Sequence, residues 1–98
     1  MKKNVLDLKT AKQAKLARKT TDENYQAVFA TSSQTEVLSQ LALNPNISFK
    51  ILEELAGSIY SEVRICVLAN RKANSVIFRK LQHDEEILVS ALAYRLAG

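Results

Sequence analysis

Apolar residues along the chain fall three and four positions apart, as in Val37 and Leu41 or Ile51 and Leu55. That is the period of a helix face, whereas a half-buried strand alternates every second residue. The pattern also repeats. A shift of 26 places Val37 on Val63 and then Val89, Leu41 on Val67 and then Ala93, and Asn44 on Asn70. In the second half of the unit Ile51 meets Ile77, Leu52 meets Phe78 and Leu55 meets Leu81. Backwards, Ile51 meets Tyr25 and Leu55 meets Phe29. A helical pattern recurring at such a period is the signature of stacked supersecondary units.

Each unit holds two short helices. Asn44-Pro45-Asn46 separates one pair, because proline cannot continue a preceding helix and disfavours helical geometry just before itself. The matching Asn70-Arg71-Lys72 keeps the asparagine, which can bond nearby backbone in a turn and tolerates left-handed geometry. Between units, Gly57-Ser58 and His83-Asp84 are equivalent, offering a helix stop at Gly57 and a capping oxygen at Ser58 or Asp84. The expected helices span about 22–30, 35–43, 47–56, 61–69, 73–82 and 85–97, with another at about 4–18.

Composition agrees with this reading. Two glycines, one proline and abundant Leu, Ala, Lys and Glu favour helix over a turn-rich sandwich or barrel. At 98 residues and 47% hydrophobic content, the chain can bury one modest core. The division expected is a basic helix or arm over 1–20 and a single helical domain over 21–98.

The motif Leu41-Ala42-Leu43-Asn44-Pro45, followed by Leu52, Leu55-Ala56, Val63-Arg64 and Val67, resembles the leucine-rich repeat variant family, with HEAT-like repeats close in shape. The resemblance covers 35–98. It departs at Asn70-Arg71, Leu81-Gln82 and Val89-Ser90, where the pattern has Asn-Pro, Leu-Ala and Val-Arg. It implies an all-α fold of short antiparallel helix pairs stacked as a small right-handed superhelix. It also implies a scaffold that binds macromolecules and rarely does chemistry. One type in that class carries an iron–sulfur cluster on clustered cysteines. With Cys66 alone, no cluster carries over, and no cofactor or metal is expected.

A lone cysteine also excludes an intrachain disulfide and fits a reducing cytoplasm. No stretch approaches the roughly 20 apolar residues of a membrane-spanning helix, and the start lacks a signal peptide's apolar core, so no membrane role is expected. A nucleophilic pair would require Cys66 with His83. Cys66 aligns with Gln40 and Leu92 and reads as a small, partly buried helix residue, while His83 sits at a helix end where it meets terminal carbonyls. Asp84-Glu85-Glu86 complements a helix start. The only glycines are Gly57 and Gly98, so no phosphate loop exists. No enzyme is expected.

Two surfaces carry the functional expectation. The first is the last helix, 87–97, whose Leu88, Tyr94 and Leu96 replace Glu62, Leu68 and Asn70 of the preceding unit. An uncapped apolar end points to a homodimer contact or to a groove for a protein partner, the leading role being a small adaptor or inhibitor. The competing expectation is that this helix lies beneath the N-terminal arm as core. The second surface is basic. The net charge of +4 divides into +6 over residues 1–20 and −2 over the remainder. Lys9, Lys12, Lys15, Arg18 and Lys19, with Arg71, Lys72, Arg79 and Lys80, would neutralise phosphates of a nucleic acid, the alternative partner. Arg64 is expected to pair with Glu36, Glu62 or Asp84.

Overall fold

The computed structural model describes Val5 and residues 8–98. Among the described residues the chain forms seven helices and no strand: α1 (Thr10–Lys19), α2 (Glu23–Phe29), α3 (Thr35–Ala42), α4 (Phe49–Leu55), α5 (Ser61–Ala69), α6 (Ser75–Leu81) and α7 (Ile87–Ala97). Six of them match the expected spans to within two residues at each end. α1 starts later than expected, since Leu8 and Lys9 are not helical.

The helix boundaries carry the 26-residue spacing. α2, α4 and α6 begin at residues 23, 49 and 75, and α3, α5 and α7 at residues 35, 61 and 87. Local capping explains the regularity. Asp22, Ser48 and Asn74 each accept hydrogen bonds from backbone N–H groups of the first turn that follows, relieving donors that a helix start leaves unpaired. Ten residues after each cap, Oγ of Ser32 and Ser58 and Oδ1 of Asp84 accept from the N–H two residues on, at 3.0, 3.2 and 2.9 Å, folding the chain into α3, α5 and α7. Ser58 and Asp84 thus shape the turn rather than cap the helix, whose N-cap residues are Tyr60 and Glu86. Gly57 is not in a left-handed conformation, which among the described residues occurs only at Gly98. The chain leaves α4 through Ala56 in right-handed geometry instead.

Two layers result. α1, α3, α5 and α7 pack in succession, and α2, α4 and α6 pack against them along a body of 49 × 21 × 16 Å. The aligned positions Val37, Val63 and Val89, and Leu41, Val67 and Ala93, are fully buried. Each large side chain taken into this core contributes about 1.5–3 kcal/mol. Ala14 and Ala17 of α1 join the same core, so the helical part of the basic segment is packed. Lys2, Lys3 and Asp7 of that segment lie outside the described residues. α1 packs on α2 and α3, whereas α7 packs on α5 and α6. The two are opposite ends of the stack, and α7 is not core beneath α1.

Two features escape the periodic pattern. Tyr25, aligned with Ile51, is half exposed. Gln26, aligned with Leu52, is buried, its Nε2 donating to the carbonyls of Thr20 and Asn46 while Oε1 accepts from the Ser48 N–H.

Candidate interaction surfaces

Asn44 and Asn70 close the turns that leave α3 and α5. Each Oδ1 accepts from the N–H two residues on, at 2.8 and 2.9 Å, which is local turn chemistry. Each Nδ2 reaches into the preceding turn: Asn44 donates to the carbonyls of Ala17 and Thr20, and Asn70 to those of Ala42 and Asn44. Neither asparagine is left-handed. The pair ties the C-terminal ends of α1, α3 and α5 side by side.

Basic residues gather on that edge. Arg18, Arg71 and Lys72 line one cavity of about 290 Å³ together with Leu43, Pro45 and Asn70. Lys15, Arg18 and Lys19 border a neighbouring cleft beside Glu36. The Lys72 ammonium is already engaged, donating to the Ile47 carbonyl at 2.6 Å. The other expected cations lie elsewhere. Lys12 is exposed on α1. Lys9 borders a cleft with Thr31–Gln34, Lys80 borders one with Gly57, His83 and Asp84, and Arg79 borders one with Phe78 and Ala97. The nine cations therefore do not form one surface.

At the opposite edge, Arg64 selects Asp84 from its three expected acids. Nε and Nη2 donate to the two carboxylate oxygens at 2.7 and 3.0 Å, and Nη1 donates to the Ser58 carbonyl at 2.8 Å. Both side chains are buried. The hydrogen bond to Asp84 pushes the guanidinium pKa up, outweighing burial, with Glu86 and Glu85 adding to the effect. Burial pushes the Asp84 carboxyl up, but the Arg64 hydrogen bond, the Glu86 N–H and the Arg64 charge hold it below the usual carboxylate value.

Cys66 is half-buried, and burial pushes its thiol pKa up; a hydrogen bond with Ser39 of α3 opposes this and Glu62 reinforces it. His83 is exposed in the turn before α7. Among the described residues no group of three or more His, Cys, Asp or Glu could hold a metal ion. No described helix is long and apolar enough to cross a membrane.

Apart from Ile59 in the turn before α5, the most exposed large apolar side chains lie on α7. Ile87 is 80% exposed, Leu88 76% and Tyr94 60%. At about 100° per residue they share one face with Ala91 and Arg95. Leu96 does not belong to it, since it points roughly 160° from Tyr94 and is covered for more than half of its surface. The helical period, rather than apolar content alone, would have replaced Leu96 by Ile87 at the sequence level.

The register of that face is informative. Tyr94 aligns with Ala42 of α3, fully buried, and with Leu68 of α5, 3% exposed. Ala91 aligns with Ser39, which faces Cys66 of the next helix in the same layer. Tyr94 thus bares a register that α3 and α5 bury, whereas Leu88 aligns with the exposed Glu36 and Glu62. Comparison with protein-family models, characterised proteins and solved structures finds no match to this chain.

Proposed function

We propose that this chain is a non-catalytic interaction module: a right-handed stack of antiparallel helix pairs, similar to HEAT-like and leucine-rich variant repeats, that holds a protein partner on the outer face of α7 in a reducing cytoplasm. One observation carries this reading. Tyr94 occupies a register that is buried as Ala42 on α3 and Leu68 on α5, and with the exposed Ile87 and Leu88 beside it α7 presents an apolar face. A supporting one is the engagement of the buried charges, Arg64 and Asp84, in a structural pair.

The test compares the native chain with Leu88→Asp/Tyr94→Asp as bait for cellular proteins, with circular dichroism to verify the fold. Loss of the captured set from a folded variant supports the reading, and an identical set overturns it.

A second reading, nucleic-acid association, is favoured by the meeting of Arg18, Arg71 and Lys72 around Pro45. In anisotropy titrations of a labelled duplex, Arg18→Gln/Arg71→Gln should shallow the dependence of log affinity on log salt by about 2. An unchanged slope removes this edge from consideration.

A further inference from the structure

We infer that the cavity between Arg18 and Arg71 seats a phosphate of a single-stranded nucleic acid, with the attached nucleoside laid on the apolar floor of Leu43, Pro45 and Ala69. The inference rests on the nucleic-acid reading and names its strand class and its site.

Hydrogen bonding leaves the two arginines available. Basic residues near helix C-termini commonly serve the terminal carbonyls. Here other side chains do that work: Asn44 donates to the carbonyls of Ala17 and Thr20, Asn70 to those of Ala42 and Asn44, and Lys72 to that of Ile47. Arg18 and Arg71 are exposed, and among the described residues their side chains have neither a hydrogen-bond nor an ion-pair partner. No described Asp or Glu lines the cavity, since Glu36 borders the neighbouring cleft. Two guanidinium groups and the Lys72 ammonium around about 290 Å³ without a counter-charge attract an anion. The planar guanidinium fork matches phosphate oxygens in particular.

Two further observations select the ligand. Arg18 also borders the cleft of Lys15 and Lys19, so the cations continue past a single phosphate. That row fits a chain of repeated anions better than one phosphorylated side chain. The floor between the cations is apolar. A duplex turns its phosphates outward and keeps its base faces stacked inside, which would set charged oxygens against Leu43, Pro45 and Ala69. A single strand exposes sugar and base faces beside each phosphate and can cover that floor.

Fluorescence anisotropy of the full chain tests the inference across a salt series, with a labelled mixed-sequence oligonucleotide and with the same strand annealed to its complement. The single strand should bind more tightly than the duplex. Arg18→Gln/Arg71→Gln should lower that affinity and shallow the dependence of log affinity on log salt by about 1.4, as two lost contacts to a single strand require. Ala69→Glu places a carboxylate at the exposed end of α5 and should bind more weakly than Ala69→Gln, which is of like size, with the helical circular dichroism signal kept in both. Three results overturn the inference: a duplex bound as tightly as the single strand, a poly-glutamate peptide that displaces the strand as readily as an unlabelled oligonucleotide of equal charge, or Ala69→Glu that binds like the native chain. The first of these would leave the broader nucleic-acid reading standing. Absence of binding to either form, or a salt slope unchanged by the arginine variant, would sink both.

Discussion

The side-chain nitrogen of Asn70 donates to the backbone carbonyl of Asn44 at 2.9 Å, joining two residues 26 positions apart that do the same work in successive turns. Both are buried. Asn70→Ala therefore removes two donated bonds and strands the Ala42 and Asn44 carbonyls, while Asn70→Asp replaces the donor with a second acceptor. Chemical denaturation should show Asn70→Ala less stable by about 2–4 kcal/mol, and Asn70→Asp at least as damaged. A loss under about 0.5 kcal/mol would mean that the ladder is incidental.

Arg64 and Asp84 form a buried pair, and truncating one partner leaves the other charged without compensation. Asp84→Ala should cost about 3–5 kcal/mol, whereas replacing both residues with apolar ones of similar volume should cost far less. A double-mutant cycle with Arg64→Met and Asp84→Leu measures the difference.

The same pair fixes a direction for acid sensitivity. Because the folded state holds the Asp84 carboxyl below its ordinary value, its contribution is fully present above about pH 4 and is lost as pH falls through the folded value. Thermal melts of the native chain should decline over that window, and Asp84→Asn should decline less steeply. Equal slopes would show that other carboxylates dominate.

Burial of Cys66 raises its thiol pKa and restricts access, so less thiolate is present at neutral pH than for a free cysteine. A disulfide reagent should label the folded chain slowly at neutral pH and faster as pH rises. Complete denaturation should abolish the protection. Equal folded and denatured rates would contradict the burial.

At Gly57 the backbone requires no glycine, and an added Cβ would make ordinary contacts of 3.4 Å with the Glu54 carbonyl and the mobile end of Lys80. Gly57→Ala should stabilise the chain by about 0.4–1 kcal/mol by restricting the unfolded state. A loss of stability would indicate strain at the turn after α4.

By itself the sequence determined the helices, because their apolar spacing and caps are local and recur every 26 residues. Val37, Val63 and Val89 marked one core register, and Asn44-Pro45 marked a break. It also singled out Leu88 and Tyr94 as apolar residues in excess of what the repeat register needs. Tertiary structure decided whatever depends on which segments meet. The reach of Asn70 to Ala42, the choice of Asp84 by Arg64 and the burial of Gln26 all join residues some 20 or more positions apart, which local periodicity cannot rank. It likewise split the nine cations, since a residue's place along a helix decides to which edge of the stack its charge is carried. And it separated α1 from α7, because an apolar helix reads alike whether another helix covers it or it closes the stack.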